Sequence, residues 1–485
     1  MPILPPSSES LVPVGTLGRS KLGVIARKLV GLPLQVVRRP LGVQAAWVIA
    51  PFFVVQIVRL ITNIVLARLL APEMFGMMLV VNTLRTGTEL LSDIGIGQSV
   101  VRRKGAPDRA FLDVAWTLQL LRGSLLTLLA LVLATPIARL YGHELRSILL
   151  VVSSIFLLTG LQSPALFLMQ RNMELRQRAA YDVMCTMVQC ALTVALAYIM
   201  PSVWALVWGL VFSTAFSTVL SFAFGERRFP RIRLDPAHVR EIMHFGKWVF
   251  VATLIYFGAT STDKAFFGAM LPMTAVGIYS VARTFADMTS QLAQRLGTFI
   301  VFPKIAGFRG EHHLSADRVK QTRRYALSII ALGLGVGIAI ADAFILLCYD
   351  ARYHTAAFML PILLFGVWFA VLANFAEAML LGCDRPAQAA KGNAVKFAVL
   401  AAGLPLALGL GGLFAGLITI GLAEAARWLA LTRALVREKL AFLGHDFALT
   451  GLLLITAAST KLLLGEFGAV PNFKEWWALG GGLLG

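Results

Sequence analysis

The chain has 485 residues, 58% hydrophobic and 14% charged, with a mean hydropathy of +0.77 and a formal charge of +19. Apolar stretches recur from about residue 43 onward and the longest polar interruptions run to about 20 residues, which leaves no room for a soluble catalytic domain. The basic residues cluster between the apolar segments, so positive-inside topology accounts for the charge and nucleic acid is not needed as a partner.

Residues 1–42 form a basic tail (Arg19, Lys21, Arg27, Lys28, Arg38, Arg39) without a cleavable signal, expected to stay cytoplasmic. Within it, 17–40 reads equally as a helix lying on anionic inner-leaflet lipids and as a flexible topogenic tail. Membrane helices are predicted near 43–70, 74–100, 114–136, 147–169, 179–200, 202–224, 246–271, 273–302, 326–348, 354–382, 388–409, 413–434 and 447–465. With the tail inside, the even-numbered turns carry "RRK" (102–104), "RNMELRQR" (171–178), "GERRFPRIR" (225–233) and "KQTRR" (320–324), an alternation that supports the orientation. The chain divides into an N-lobe at 43–224, a basic cytoplasmic linker at 225–245, a C-lobe at 246–434 and a C-terminal extension at 435–485. The closing "FKEWWALGGGLLG" is too short to cross unaided; it is either an interfacial aromatic anchor or an incomplete span.

At an offset of 201 residues Trp47 matches Trp248, Leu70 matches Leu271 and Gly76 matches Gly277. The two halves read as duplicates in the same orientation, related by an axis along the membrane normal. The predicted fold is therefore an all-α polytopic membrane protein of two pseudo-symmetric six-helix lobes around a central cavity, plus one or two C-terminal helices. Each half places a polar-faced helix after a tight turn, "LLAPEMFG" (69–76) or "MLPMTAVG" (270–277). In the first, Arg85, Glu89 and Asp93 recur every four residues, with Asn82 and Thr88 nearby; in the second, Arg283, Asp287, Gln291 and Arg295 do so, with Gln294 nearby. Charges inside a membrane face protein or water, so the stripes are expected to line the cavity. The plainer reading is an ion-paired seam in which Arg85 neutralises Glu89. Further intramembrane charges are Arg59, Arg122, Asp182, Asp263, Lys264, Glu377, Glu424 and Arg427; Arg122, without an acid on its own helix, is a candidate for snorkelling.

No phosphate-cradling G-x-x-x-x-G-K-[ST] is present, and in "GLGVG" (333–337) Gly333 and Gly337 read as close helix packing. No H-E-x-x-H occurs, His312 and His313 fall in a loop, and no metal or cofactor is expected. Cys185, Cys190, Cys348 and Cys383 lack paired or metal-ligand spacing and read as packing residues. Pro51, Pro361, Gly258 and Gly268 are candidate bends. A membrane glycosyltransferase or polysaccharide polymerase needs acid, base or metal groups on a sizeable outer loop. The outer loops here are short, which favours a transporter.

"LARLLAPEMFG" (66–76), "LLSDIGIGQSVVRRK" (90–104), "AWTLQLLRG" (115–123) and "DKAFFGAMLPMTAVGIYSVA" (263–282) resemble the polysaccharide transporter branch of the multidrug/oligosaccharidyl-lipid/polysaccharide exporter superfamily, over most of 43–434. That resemblance implies two lobes in a V and movement of an undecaprenyl-diphosphate-linked oligosaccharide from the inner to the outer leaflet of a bacterial cytoplasmic membrane. It also implies a basic cavity on the first, second, seventh and eighth helices, with a polysaccharide polymerase and export machinery downstream. Arg59, Arg85, Arg283 and Lys264 would supply cations to the diphosphate; Arg122 and Arg295 add charge, and Asn82 and Gln291 would meet sugar hydroxyls. Glu89, Asp93, Asp263, Asp287 and Glu377 are the candidates for ion coupling or charge pairing. The rival within the superfamily is a cation-coupled multidrug exporter, whose cavity should be acidic instead.

Overall fold

A computed structural model describes residues 41–103, 105, 107–224, 229–296, 316–438, 440, 442–466, 468 and 470–480. The basic tail and most of the loop 303–325, including His312 and His313, lie outside the described residues. The helices are α1 (Leu41–Leu69), α2 (Pro72–Leu91), α3 (Ile96–Arg102), α4 (Arg109–Tyr141), α5 (Leu145–Val152), α6 (Ser154–Gly160), α7 (Ala165–Arg171), α8 (Leu175–Ile199) and α9 (Val203–Ala223). After the linker come α10 (Pro236–Met270), α11 (Met273–Leu296), α12 (Ala316–Cys348), α13 (Thr355–Gly382), α14 (Pro386–Arg437), α15 (Leu443–Glu466) and α16 (Phe473–Leu479).

Among the described residues, eight helices are long and apolar enough to cross a membrane, or nine if the bent α5–α7 run counts as one span. This is a multi-pass membrane protein. Leu125, Leu128 and Val132 on α4 are exposed in the manner of a lipid-facing surface. Among the described residues the long helices that fall short of that apolarity are α2 and α11, which carry the predicted polar stripes, and α10, which carries Asp263 and Lys264. Their charges can be tolerated because the three pack on one another at the centre of the molecule, α2 against both α10 and α11.

Three predicted spans are corrected. The segment 74–100 is not one helix: α2 stops at Leu91, and α3 restarts after Gly95, whose φ of 69° is left-handed. Asp93 shapes the break by accepting from the Gly95 amide at 2.9 Å, an Asx turn that competes with the helix. The segment 147–169 is broken as well, with α7 bent by 60° from α5–α6 at Ser163 and Pro164. The seventh span begins ten residues earlier than predicted, at Pro236, where Asp235 caps the helix by accepting from the Ala237 amide at 3.0 Å. Predicted spans 388–409 and 413–434 stand as two helices within α14, parted by non-helical backbone at Gly411 and Gly412, the latter at φ 57°.

The lobes cross where α2 meets α11. A Cβ on Gly76 would lie 2.2 Å from the Met273 carbonyl oxygen, and one on Gly277 would lie 1.8 Å from that of Pro72. Both contacts are to backbone, so only glycine permits the approach. Beside them the Thr274 hydroxyl donates to Glu73 Oε1 at 2.6 Å, a bond between residues 201 apart, which is the repeat offset itself. Further bonds close this end between the lobes: Tyr349 OH to Asn63 Oδ1 at 2.7 Å, and Tyr353 OH to the Leu70 carbonyl at 3.1 Å.

The C-terminal extension divides in two. Helix α15 is clamped to α12 by Arg323 bound through both nitrogens to Asp446, at 2.6 and 3.0 Å, and near its other end by Lys461 with Asp342, all four buried. Gly335, not Gly333 or Gly337, makes the close approach there: its Cβ would sit 2.9 Å from the Leu453 carbonyl, whereas the other two face open space. The terminal aromatic stretch holds the seven-residue α16, capped at Asn472 and packed on α13, with Trp476 stacked on Phe358 at 4.8 Å. Cys185, Cys190, Cys348 and Cys383 form no disulfide.

Candidate functional site

The site residues fall into three groups. The first lines a cavity of about 420 Å³ between the lobes, where α1 supplies Gln56 and Arg59, α8 supplies Arg178, Asp182 and Gln189, and α11 supplies Gln291 and Arg295. Arg178 pairs with Asp182 at 3.2 Å, so three guanidinium groups face one carboxylate. Arg295 also lies over the Phe52 ring at 4.4 Å. Pro51, predicted as a bend, and Cys185 complete part of the wall. Arg59, Gln291 and Arg295 were legible as polar faces; Arg178 reads in sequence as loop charge, and only its i,i+4 spacing to Asp182 signals a place on a helix.

The second group lines a cavity of about 780 Å³ inside the N-lobe, bounded by α2, α3, α4, α6 and α7 and including Arg85, Glu89, Asp93 and Arg122. Arg85 pairs with Glu89 at 3.0 Å, as the seam reading expects. Arg122 does not snorkel: it turns inward, donates to the Ser92 hydroxyl at 2.9 and 3.0 Å and to the Glu89 carbonyl, and so satisfies the C-terminal end of α2. Sequence reasoning missed Gln98, Gln119 and Gln170 here. Asn82, one turn earlier on α2, is half-buried. The first turn of α8 lines the smaller cavity and the last turn of α7 the larger, so both lie toward the same end of the bundle, opposite the closed crossing.

The third group is a charge network in the C-lobe. Lys264 donates to Asp287 at 2.8 Å; Arg283 lies 3.0 Å from Asp287 and 3.4 Å from Asp263, which also accepts from Tyr279 OH. Alongside, Lys396 holds Glu424 at 2.6 Å, while Arg427 bonds Glu377, Asn374 and Glu424. Arg283 thus sits among carboxylates of its own lobe, and Arg85 does likewise in the other. The stripes therefore divide: Arg85 with Glu89 and Arg283 with Asp287 are paired within their own lobes, whereas Gln291 and Arg295 of the second stripe line the inter-lobe cavity. A pairwise i,i+4 pattern shows which face is polar, not whether it is already satisfied. Among the described residues no cluster of side chains suits a metal ion.

The linker tethers the lobes. Backbone amides of Arg231 and Arg233 donate to Asp113 at 3.0 Å and Thr117 at 2.9 Å, laying the linker along α4. His238 stands 3.4 Å from Asp235 and 3.9 Å from Asp108, and the bond from Arg103 holds the Asp108 carboxyl below its usual range. Ile242 is buried with Ile96, Val100 and Phe111 of the N-lobe, whereas Phe267, at the far end of the same helix, belongs to the large shared core.

The architecture is two helical lobes that cross at duplicated glycines, each with paired charges in its interior-facing helices. Solved structures agree on the fold: the lipid II flippase MurJ in an inward closed conformation aligns over 89% of this chain and 94% of its own at 11% identity, with a TM-score of 0.69. An inward-facing multidrug resistance MATE transporter aligns over 82% and 95% at 14% identity, with a TM-score of 0.60. The chain belongs to the polysaccharide biosynthesis protein family, which it matches over residues 65–358. It resembles the Escherichia coli lipopolysaccharide biosynthesis protein WzxC, 21% identical over 51% of this chain and 50% of the relative. It also resembles the Rhizobium meliloti succinoglycan biosynthesis transport protein ExoT, 22% identical over 56% and 53%. The match spans about half the length of each curated relative.

Proposed function

We propose that the protein flips an undecaprenyl-diphosphate-linked oligosaccharide from the inner to the outer leaflet of a bacterial cytoplasmic membrane, for exopolysaccharide, capsule or O-antigen synthesis. The observation that carries this reading is the cavity between the lobes. Arg59 and Arg178 come from one lobe and Arg295 from the other, around a volume of about 420 Å³. A diphosphate held there would be bound by both halves, so rocking one lobe against the other changes its site. A cationic drug would meet repulsion instead. Replacing Arg59 or Arg295 with Ala should weaken pyrophosphate binding about tenfold, for loss of one charge-assisted bond worth about 1.5–3 kcal/mol. The check is calorimetry in nanodiscs, with mass spectrometry of co-purifying lipid; unchanged pyrophosphate affinity, or cationic-drug binding lost in Asp182→Asn, would count for the multidrug reading.

Energy coupling belongs to the carboxylates, and Asp263 is the leading candidate. It is 1% exposed, and its Oδ1 has no hydrogen-bond partner although Oδ2 is bonded. That spare buried oxygen can take a proton or cation during the cycle. Asp263→Asn should abolish dependence on the ion or potential gradient while cargo binding is kept; a mutant whose transport keeps its full gradient dependence returns Asp263 to a structural role. Under this proposal the N-terminus is cytoplasmic, and the glycine crossing closes the outer end. A polymerase and export machinery would receive the product.

A further inference from the structure

The N-lobe cavity is the larger of the two, at about 780 Å³ against 420 Å³, yet its charges are already committed. Arg85 is paired with Glu89, Arg122 holds the end of α2, and Asp93 accepts from the Gly95 amide and from Gln98 at 3.3 Å. A diphosphate would have to break these bonds to be held. Arg102 also lines the space; the rest of the wall is uncharged, with the hydroxyls and amides of Thr86, Gln98, Gln119, Thr159 and Gln170 set among apolar residues. Gln119 donates to the Thr159 carbonyl at 2.8 Å, but its Oε1 is buried without a partner, and so is Arg85 Nε. One is an acceptor lacking a donor and the other a donor lacking an acceptor. A sugar hydroxyl can serve as either donor or acceptor. Gln170 adds another amide, and Phe156 and Phe167 supply apolar walls of the kind that pack against the C–H face of a pyranose ring.

We propose that this cavity is a carbohydrate subsite, taking one or two uncharged hexose units of the cargo while the inter-lobe cavity takes the diphosphate. The proposal rests on the flippase reading and divides its cargo between two sites. Placing the glycan in one lobe only means that the sugar part is selected by static geometry, whereas the phosphate part senses the movement between lobes. Arg85 acts here as a hydrogen-bond donor beside its own carboxylate, not as a free charge. This gives an intramembrane arginine a role compatible with its ion pair.

The test is saturation-transfer NMR on the full-length protein in lipid nanodiscs, with maltose, lactose and cellobiose as probes and inorganic pyrophosphate as competitor. At least one disaccharide should receive saturation. The signal should fall about fivefold or more in the Gln119→Leu/Gln170→Leu variant, as expected for losing hydrogen bonds in a partly dry site. It should persist in Arg59→Ala/Arg295→Ala and in excess pyrophosphate. No transfer to any of the three, a signal that survives loss of both glutamines, or displacement by pyrophosphate overturns the proposal. Retained pyrophosphate binding in the glutamine variant shows that it has folded; if that is lost, Gln170→Ala alone carries the same comparison. Disaccharide binding without any pyrophosphate binding would keep the sugar site and overturn the flippase reading, so the two fail separately.

Discussion

Gly277→Leu should abolish transport while leaving the two lobes folded. Its Cβ would stand 1.8 Å from the Pro72 carbonyl oxygen and 3.1 Å from the Gly76 amide, and a backbone cannot step aside as a side-chain tip can. The crossing must then part, and with it the bonds of Tyr349 to Asn63 and Tyr353 to Leu70 that depend on the same approach. At about 1 kcal/mol net for each lost bond, besides the steric term, the closed end should open in most molecules. Cys348 lies at that end and is a native reporter. Its labelling by a membrane-impermeant thiol reagent from the outer side should rise severalfold as transport falls at least about tenfold, the scale of a change of about 1.4 kcal/mol or more. Gly277→Leu protein that transports normally with Cys348 labelling unchanged would show that the crossing is not a gate.

The second large effect is expected at Arg427. It is 7% exposed and joins Glu377, Asn374 and Glu424, from α13 and α14, in one network. Arg427→Ala leaves Glu377 without its cation in a dry site, a change of the kind that costs about 3–5 kcal/mol. Membrane abundance and melting temperature should drop sharply. Arg427→Met with Glu377→Gln should recover much of both, because the second change removes the uncompensated charge. If the single variant melts like the wild type, the network is hydrated and carries no structural weight.

The organisation of the fold was legible because it rests on patterns that repeat. The turns before Pro72 and Met273, the match of Gly76 with Gly277 and the succession of apolar runs are all set by local chemistry and duplication. The break inside the second span was also written in "SDIG", but a hydropathy reading averages over it; Asp93 and Gly95 act through one turn, not through polarity. The site was legible only in part. Spacing placed Arg85 with Glu89 and Arg283 with Asp287 on single faces, and those faces are polar. Which cavity each face borders depends on the rotation of whole helices, which no single helix encodes. Gln119 and Gln170 were missed for a related reason: an amide inside a membrane helix is unremarkable until its neighbours show what it lacks.

The bond between Glu73 and Thr274 has a consequence for descent. Corresponding residues of two repeats touch only where the axis relating them passes, so the glycine crossing marks that axis. A single-lobe ancestor would have met a second copy of itself through this same patch, each residue here facing its own twin. Glutamate against glutamate would have repelled, and threonine against threonine would have left the junction neutral. Joining the copies in one gene would release the two positions from identity, so that one can be the donor and the other the acceptor, as Thr274 and Glu73 are. At that pair the two halves differ in role, one carrying the donor and the other the acceptor.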